Sequence, residues 1–285
     1  MTPPVIAVIG PVEPALLTAW TRHYRRIGVE KFLIAFHFPD HVTARHREEL
    51  LATANDLGIG PALTSTGSWH EHTNTELREQ LRTLAGPGWH LLADSDEFHQ
   101  YPTAVADAIT AAENCGATVI GGLLLDRISR DGQLRPIAPG MDLDRVFPLG
   151  GHLTHRILHG DPRKIVAVRS DVVVASGNHR APGHRPDLQR LVCVHHFKWR
   201  RGVLADLHQR VTRFSSGEWI EHTPAVRDEA SRLLEHVGRR RGRIDPTDPR
   251  PAYRAVTLAR LPASWQAEAR NILVGWRPPT LMRGD

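Results

Sequence analysis

Three lysines, three tyrosines, three methionines and two cysteines are all that a chain of 285 residues contains of those four types. With only Cys115 and Cys193 there is no disulfide scaffold and no C-x-x-C zinc framework, so the expectation is a cytoplasmic protein with buried thiols. No apolar run approaches the ~18 residues of a membrane-spanning helix. The opening stretch MTPPVIAVIGPVEP lacks the basic region of a secretory signal, and its apolar part reads as a first strand. Among the 36 basic residues only Lys31, Lys164 and Lys198 are lysine, an arginine bias that suits a GC-rich genome as well as any function. No basic-aromatic strand motif, zinc finger or helix-turn-helix is recognisable, so nucleic acid is not the expected partner. A formal charge of +5 and a pI near 9.7 still favour a polyanion, and a nucleotide diphosphate fits.

What is present is organised around Trp89-His90-Leu91-Leu92-Ala93-Asp94-Ser95-Asp96-Glu97-Phe98, a short apolar strand running into three carboxylates. Residues two apart in an extended chain point to one side, so Asp94 and Asp96 are expected to converge. Carboxylates that close raise each other's pKa unless a cation lies between them. Mg²⁺ and Mn²⁺ take oxygen ligands and leave positions for water or phosphate. An isolated D-x-D is otherwise a solvated acidic turn.

In chain order, Val5–Ile9 reads as a buried strand, 14–27 as a helix, 31–36 as a strand, 42–57 as a helix, 59–63 as a short strand and 74–85 as a helix. These strand–helix units predict an α/β fold with a mainly parallel sheet and flanking helices. The loops 10–13, 37–41, 64–74 and 94–97 should then share one edge, where such sheets bind ligands. A helix over 103–114, strands at 117–125, 165–168, 172–174 and 191–199, and helices at 202–214 and 224–238 follow. A Pro-rich, mobile-looking tail begins at Arg239. The reading is one domain over 1–222, with halves 1–100 and 101–222, and a C-terminal helical appendage over 223–285. His70-Glu71-His72 offers an H-x-H pair to zinc, but no third ligand is evident.

Four segments together resemble the GT-A fold glycosyltransferases of the family 2 type, in particular a bacterial branch akin to family 92. They are Leu17-Thr18-Ala19-Trp20-Thr21-Arg22-His23-Tyr24-Arg25-Arg26-Ile27-Gly28-Val29, Leu92-Ala93-Asp94-Ser95-Asp96-Glu97-Phe98, Leu125-Asp126-Arg127-Ile128-Ser129-Arg130-Asp131-Gly132 and His195-His196-Phe197-Lys198-Trp199. The resemblance spans about residues 5–215 and implies a Rossmann-like GT-A sheet. It implies transfer of a sugar, with inversion, from a nucleotide-diphosphate sugar to the hydroxyl of a small-molecule or saccharide acceptor, with Mn²⁺ or Mg²⁺. Where the family has Asn-Glu after strand one this chain has Val12-Glu13, and where it has a Ser-Asp-Gly turn this chain has His37-Phe38-Pro39-Asp40. The base of the donor is therefore not named.

On that basis Asp94, Asp96 and His196 are the expected metal ligands. Gly10, Glu13, His37, Asp40, Asn74, Asp94, Arg127 and Lys198 are expected around the nucleotide and its diphosphate. The base that takes the acceptor proton is expected among Asp187, roughly ninety residues after the D-x-D, Asp126, Asp131 and His179. A metal-dependent phosphoester hydrolase or nucleotidyltransferase could use the same carboxylates, although Gly10-Pro11-Val12-Glu13 is not a Gly-rich basic loop. A non-catalytic polyanion-binding protein is the third reading.

Overall fold

The structure, a computed structural model, describes residues 2–277. In chain order its first half holds β1 (Val5–Ile9), α1 (Pro14–Arg26), β2 (Phe32–Pro39), α2 (Ala44–Asp56), β3 (Leu63–Gly67), α3 (Thr73–Ala85), β4 (Trp89–Leu92), β5 (Glu97–Gln100) and α4 (Val105–Asn114). Then come β6 (Val119–Ile128), α5 (Leu143–Val146), β7 (Leu149–Gly151), α6 (Leu153–Arg156), β8 (Arg163–Arg169) and a 3₁₀ turn over Ser176–Asn178. The remainder is β9 (Val192–His196), α7 (Val203–Ser215), α8 (Ala225–Gly238), β10 (Arg254–Ala255) and α9 (Trp265–Gly275).

Alternation along β1 sets the layers. Val5, Ala7 and Ile9 pack with Leu16, Leu17 and Trp20 of α1 and Leu50 of α2, while Ile6 and Val8 pack with Leu77 and Leu81 of α3. A strand buried on both faces by helices of this kind gives the expected α/β class, with flanking helices on a sheet that is parallel through β3-β2-β1-β4. Beyond β4 the order continues β8-β6-β7-β10 with antiparallel pairings. The chain steps from β1 outward to β3 and returns to the other side of β1 as β4. That reversal is a topological switch point, and it opens a crevice at the carboxyl ends of β1 and β4.

Five expectations change. The third strand begins at Leu63, where the expected one ends. Pro61 has no N–H to donate, and Ile59 closes α2 by donating to Ala54 O at 2.9 Å. Residues 172–174 form no strand because guanidinium groups take their carbonyls: Arg82 binds Val172 O at 2.8 Å and Arg78 binds Val174 O at 2.6 Å. The D-x-D lies in a turn, closed by Glu97 N donating to Asp94 O at 3.1 Å, and is not extended. The expected mobile tail is folded across its described part. Trp265, Ala269 and Ile272 of α9 cover Leu123, Leu125 and Cys193, and β10 pairs with β7; residues 278–285 lie outside the described residues. Finally, Cys193 is buried but Cys115 is exposed. Among the described residues no helix is long and apolar enough to cross a membrane.

Candidate active site

Helix α1 builds the site from behind. Trp20 Nε1 donates to Asp94 O at 3.1 Å, Tyr24 Oη to Glu97 O at 3.1 Å, and His23 Nε2 bonds His99 O at 3.0 Å. The Trp and His-Tyr of the first helix thus bond carbonyls of the acidic turn and of β5, which ties both to α1. In front of the turn is a cleft of ≈ 270 Å³ lined by Gly10, His37, Asn74, Asp94, Asp96, His179, His196 and Lys198 among others. The loops after β1 to β4 do share this edge.

The carboxylates do not converge. Asp94 turns to Lys164, whose Nζ lies 2.8 Å from Asp94 Oδ2 and 2.7 Å from Glu97 Oε1. Asn178 Nδ2 donates to Asp94 Oδ1 at 3.3 Å. Burial works against the Asp94 charge, but Lys164 outweighs it and brings the pKa down to about 2. Burial and the neighbouring Asp94 push Glu97 up to about 7, and the two carboxylates hold Lys164 above the ordinary lysine range despite its burial. The cation that a triple carboxylate requires at this strand end is therefore, on the Asp94 side, a lysine.

Asp96 turns the other way. Its Oδ1 lies 4.0 Å from His196 Nε2 and its Oδ2 lies 3.6 Å from Arg200 Nη1, while Arg200 Nε also binds Glu13 at 2.6 Å. Strand β5 makes this meeting possible: Glu97 pairs with His196 of β9, and Phe197 N donates to Asp96 O at 2.8 Å. Behind His196, Nδ1 bonds Asp126 Oδ1 at 2.9 Å. Burial lowers the His196 pKa, but the Asp126 hydrogen bond and the charges of Asp96 and Asp126 leave it above the ordinary value.

Several expected site residues are elsewhere. Asp126 is fully buried, bonded by Thr154 N and Oγ1, each at 2.7 Å, by Trp199 Nε1 at 2.6 Å and by His196, and is not among the residues that line the cleft. Asp131 is tied into its own surface turn by Ser129, Gln133 and Arg135. Asp187 borders a separate, apolar cavity beside Ala108, Ala112 and Gly121. Arg127 is a buried strut binding Phe147 O and Asp144, not a diphosphate contact. Asp40 is exposed and Glu13 is committed to Arg200; neither is among the lining residues. Glu71 of the H-x-H loop accepts from Thr223 N at 2.8 Å and from His222 N, and His72 stacks on His222. That loop is a latch onto the α7–α8 connection and not a zinc site.

The residues that sequence reasoning missed are Lys164, Arg78, Asn178, Arg200, Arg210 and Glu229. A lysine at the head of the apolar run of β8, in a chain with two others, was the signal for Lys164. The rest sit in loops or on helix faces without a distinguishing pattern.

No family model and no curated protein matches this chain. Solved structures that resemble it include S. aureus TarS, at 13% identity over 83% of this chain and 44% of that one, with a TM-score of 0.34. TarS 1-349 in complex with UDP shows 12% identity over 84% and 72% of the two chains, with a TM-score of 0.33. The mannosyltransferase PcManGT from Pyrobaculum calidifontis, in complex with GDP-Man and Mn²⁺, shows 12% identity over 84% and 76%, with a TM-score of 0.36. The chain spans less than half the length of full TarS. At these identities and scores the function is argued from the site itself.

Proposed function

We propose that the chain is a glycosyltransferase of GT-A type that moves a sugar from a nucleotide-diphosphate sugar to a hydroxyl acceptor, with inversion. The observation that carries this reading is the pair Asp96–His196 at the switch-point cleft, 4.0 Å apart, with the second imidazole nitrogen held by Asp126 at 2.9 Å. A carboxylate behind a histidine is the support that metal-bound imidazoles usually have. The ordered resemblance of four motifs to the family, which include Asp96, Asp126 and His196 themselves, supports the same reading.

The residues present fit a divalent cation in a limited way. Among the described residues no three His, Cys, Asp or Glu side chains form a ready-made metal cluster. Asp96 and His196 form a two-donor seat, and Asp94 is engaged by Lys164. Such a seat suits Mn²⁺ or Mg²⁺ when phosphate oxygens and water complete the shell, and the imidazole favours Mn²⁺. When bound, the ion would stabilise charge developing on the leaving diphosphate. The chain's own residues supply the rest. Lys198, Arg200 and Arg210 line the cleft, each paired with a carboxylate of the chain, and His37, Trp69 and Asn74 line the end where β2 and β3 finish. Trp69 Nε1 donates to Asn74 Oδ1 at 3.0 Å, so the Asn74 amide nitrogen, without a partner among the described residues, is a donor available to the nucleotide. Residues 1–100 then form the nucleotide half and 101–222 the acceptor half.

Isothermal titration with UDP, dTDP and GDP, with and without Mn²⁺, tests the reading. Asp96→Asn keeps the size and removes the charge, so it is expected to weaken Mn²⁺-dependent binding by at least tenfold without lowering the melting temperature. Unchanged affinity in that variant would remove the basis for the assignment.

A further inference from the structure

Five carboxylates line the cleft, and each is engaged. Glu71 accepts from the 222–223 backbone, Asp94 from Lys164 and Asn178, and Asp96 faces His196 and Arg200; Asp206 pairs with Arg210 at 2.8 Å, and Glu229 pairs with Lys198. A carboxylate already stabilised by a cation, or, as Glu71 is, by backbone N–H donors, is a poor proton acceptor at neutral pH.

His179 differs. Its Nδ1 lies 2.7 Å from Arg163 O. A carbonyl oxygen only accepts, so Nδ1 carries the proton and Nε2 holds the lone pair. Among the described residues Nε2 has no hydrogen-bond partner, and the ring lines the cleft. Burial and then the Lys164 charge lower the pKa of His179, against the smaller opposing influence of Asp161 and Asp94, so the ring is neutral at pH 7.

The turn that carries the ring is strained and heavily braced. Gly177 has φ 70° and Asn178 has φ 60°. A Cβ on Gly177 would come within 2.5 Å of His179 Cδ2 and 2.8 Å of Nε2, so only glycine lets the ring lie where it does. Lys164 Nζ donates to Gly177 O at 2.7 Å, Arg78 binds the Asn178 side-chain oxygen, and Asn178 Nδ2 reaches Asp94. Two buried cations from β8 and α3 thus hold one turn in a sparsely populated conformation. Strain of this kind persists where the surroundings over-determine it, and it concentrates at active sites.

We propose that His179 is the general base of the transfer, a role that rests on the glycosyl-transfer reading above. As the acceptor oxygen bonds to the anomeric carbon, the bond from that carbon to the diphosphate oxygen breaks and its electron pair leaves with the diphosphate. The hydroxyl proton moves to Nε2, and water removes it from the imidazolium afterwards. A positioned base of this sort contributes roughly 10²–10⁴-fold.

The test uses the full chain with Mn²⁺ and UDP-glucose, dTDP-glucose and GDP-mannose as donors, with water as the acceptor. Nucleoside diphosphate release is measured beside calorimetric titration of UDP, dTDP and GDP. His179→Gln is expected to slow release by at least about a hundredfold while nucleotide affinity stays within about threefold, a change below roughly 1 kcal/mol. The acid limb of the pH–rate profile is expected to disappear, and imidazole to restore part of the rate to His179→Ala. If His179→Gln retains its rate to within threefold, the base assignment falls and the transfer reading stands. Nucleotide affinity lost in step with rate would make His179 a donor-binding residue and overturn the proposal. Wild-type protein that binds no nucleoside diphosphate would overturn the transfer reading, and the base with it.

Discussion

Lys164 is 2% exposed and holds one carboxylate that is equally buried, Glu97, and one that is 42% exposed, Asp94. Removing one partner of a buried ion pair leaves charge without compensation, at a cost of about 3–5 kcal/mol. Lys164→Met is therefore expected to lower stability by about that amount in urea or thermal unfolding, and adding Glu97→Gln should restore part of it. Equal stability of Lys164→Met and wild type would mean that the carboxylates find another cation or take up protons at little cost. The same lysine shows why the D-x-D was only half legible. The sequence pointed to a cation at the end of β4, and one is there, but an extended geometry was assumed. The turn between β4 and β5 sends Asp94 and Asp96 to different partners, so of the three expected ligands only Asp96 and His196 face each other.

Among the elements, those read correctly were the ones with a strong period: the β1, β2 and β4 runs and the apolar faces of α1, α2 and α3, where burial on two sides or one stripe leaves a pattern. The least legible was β5. Glu97-Phe98-His99-Gln100 is short and has one apolar residue, yet its antiparallel pairing with β9 is what sets His196 beside Asp96. Its partner, not its composition, makes it a strand. Helix α9 was hidden for the opposite reason, because a Pro-rich approach masked an apolar face that covers Leu125 and Cys193. Glu268 ties that helix down by accepting from His152 at 3.1 Å and from Arg254. The His152 hydrogen bond foremost, aided by Arg254, brings its pKa down to about 2. A carboxyl whose folded pKa is depressed stabilises the fold above the ordinary carboxylate range and loses that contribution as pH falls toward 2. Wild type should exceed Glu268→Gln in melting temperature by about 2–4 °C above pH 5, solvent screening keeping the effect small. The gap should close as pH approaches 2. A gap that stays constant down to pH 2 would mean that the ion pair is not its source.

At the scale of the whole molecule, the acidic groups around the cleft already have counter-charges from the chain, except Glu71, which accepts from the 222–223 backbone. Lys164 serves Asp94 and Glu97, Arg200 serves Glu13 and Asp96, Arg210 serves Asp206 and Lys198 serves Glu229. Zinc-finger domains are different, since their metal-binding energy is their folding energy. Here EDTA is expected to abolish Mn²⁺-dependent nucleotide binding while moving the melting temperature of the free protein by less than about 2 °C, under roughly 1 kcal/mol; a larger drop would show that the ion is structural. Folding and metal loading are then separate events. On the proposed reading, chain made without manganese would fold to an intact, silent apoprotein that awakens on contact with the ion without refolding, so its output would follow manganese supply and not its own rate of synthesis.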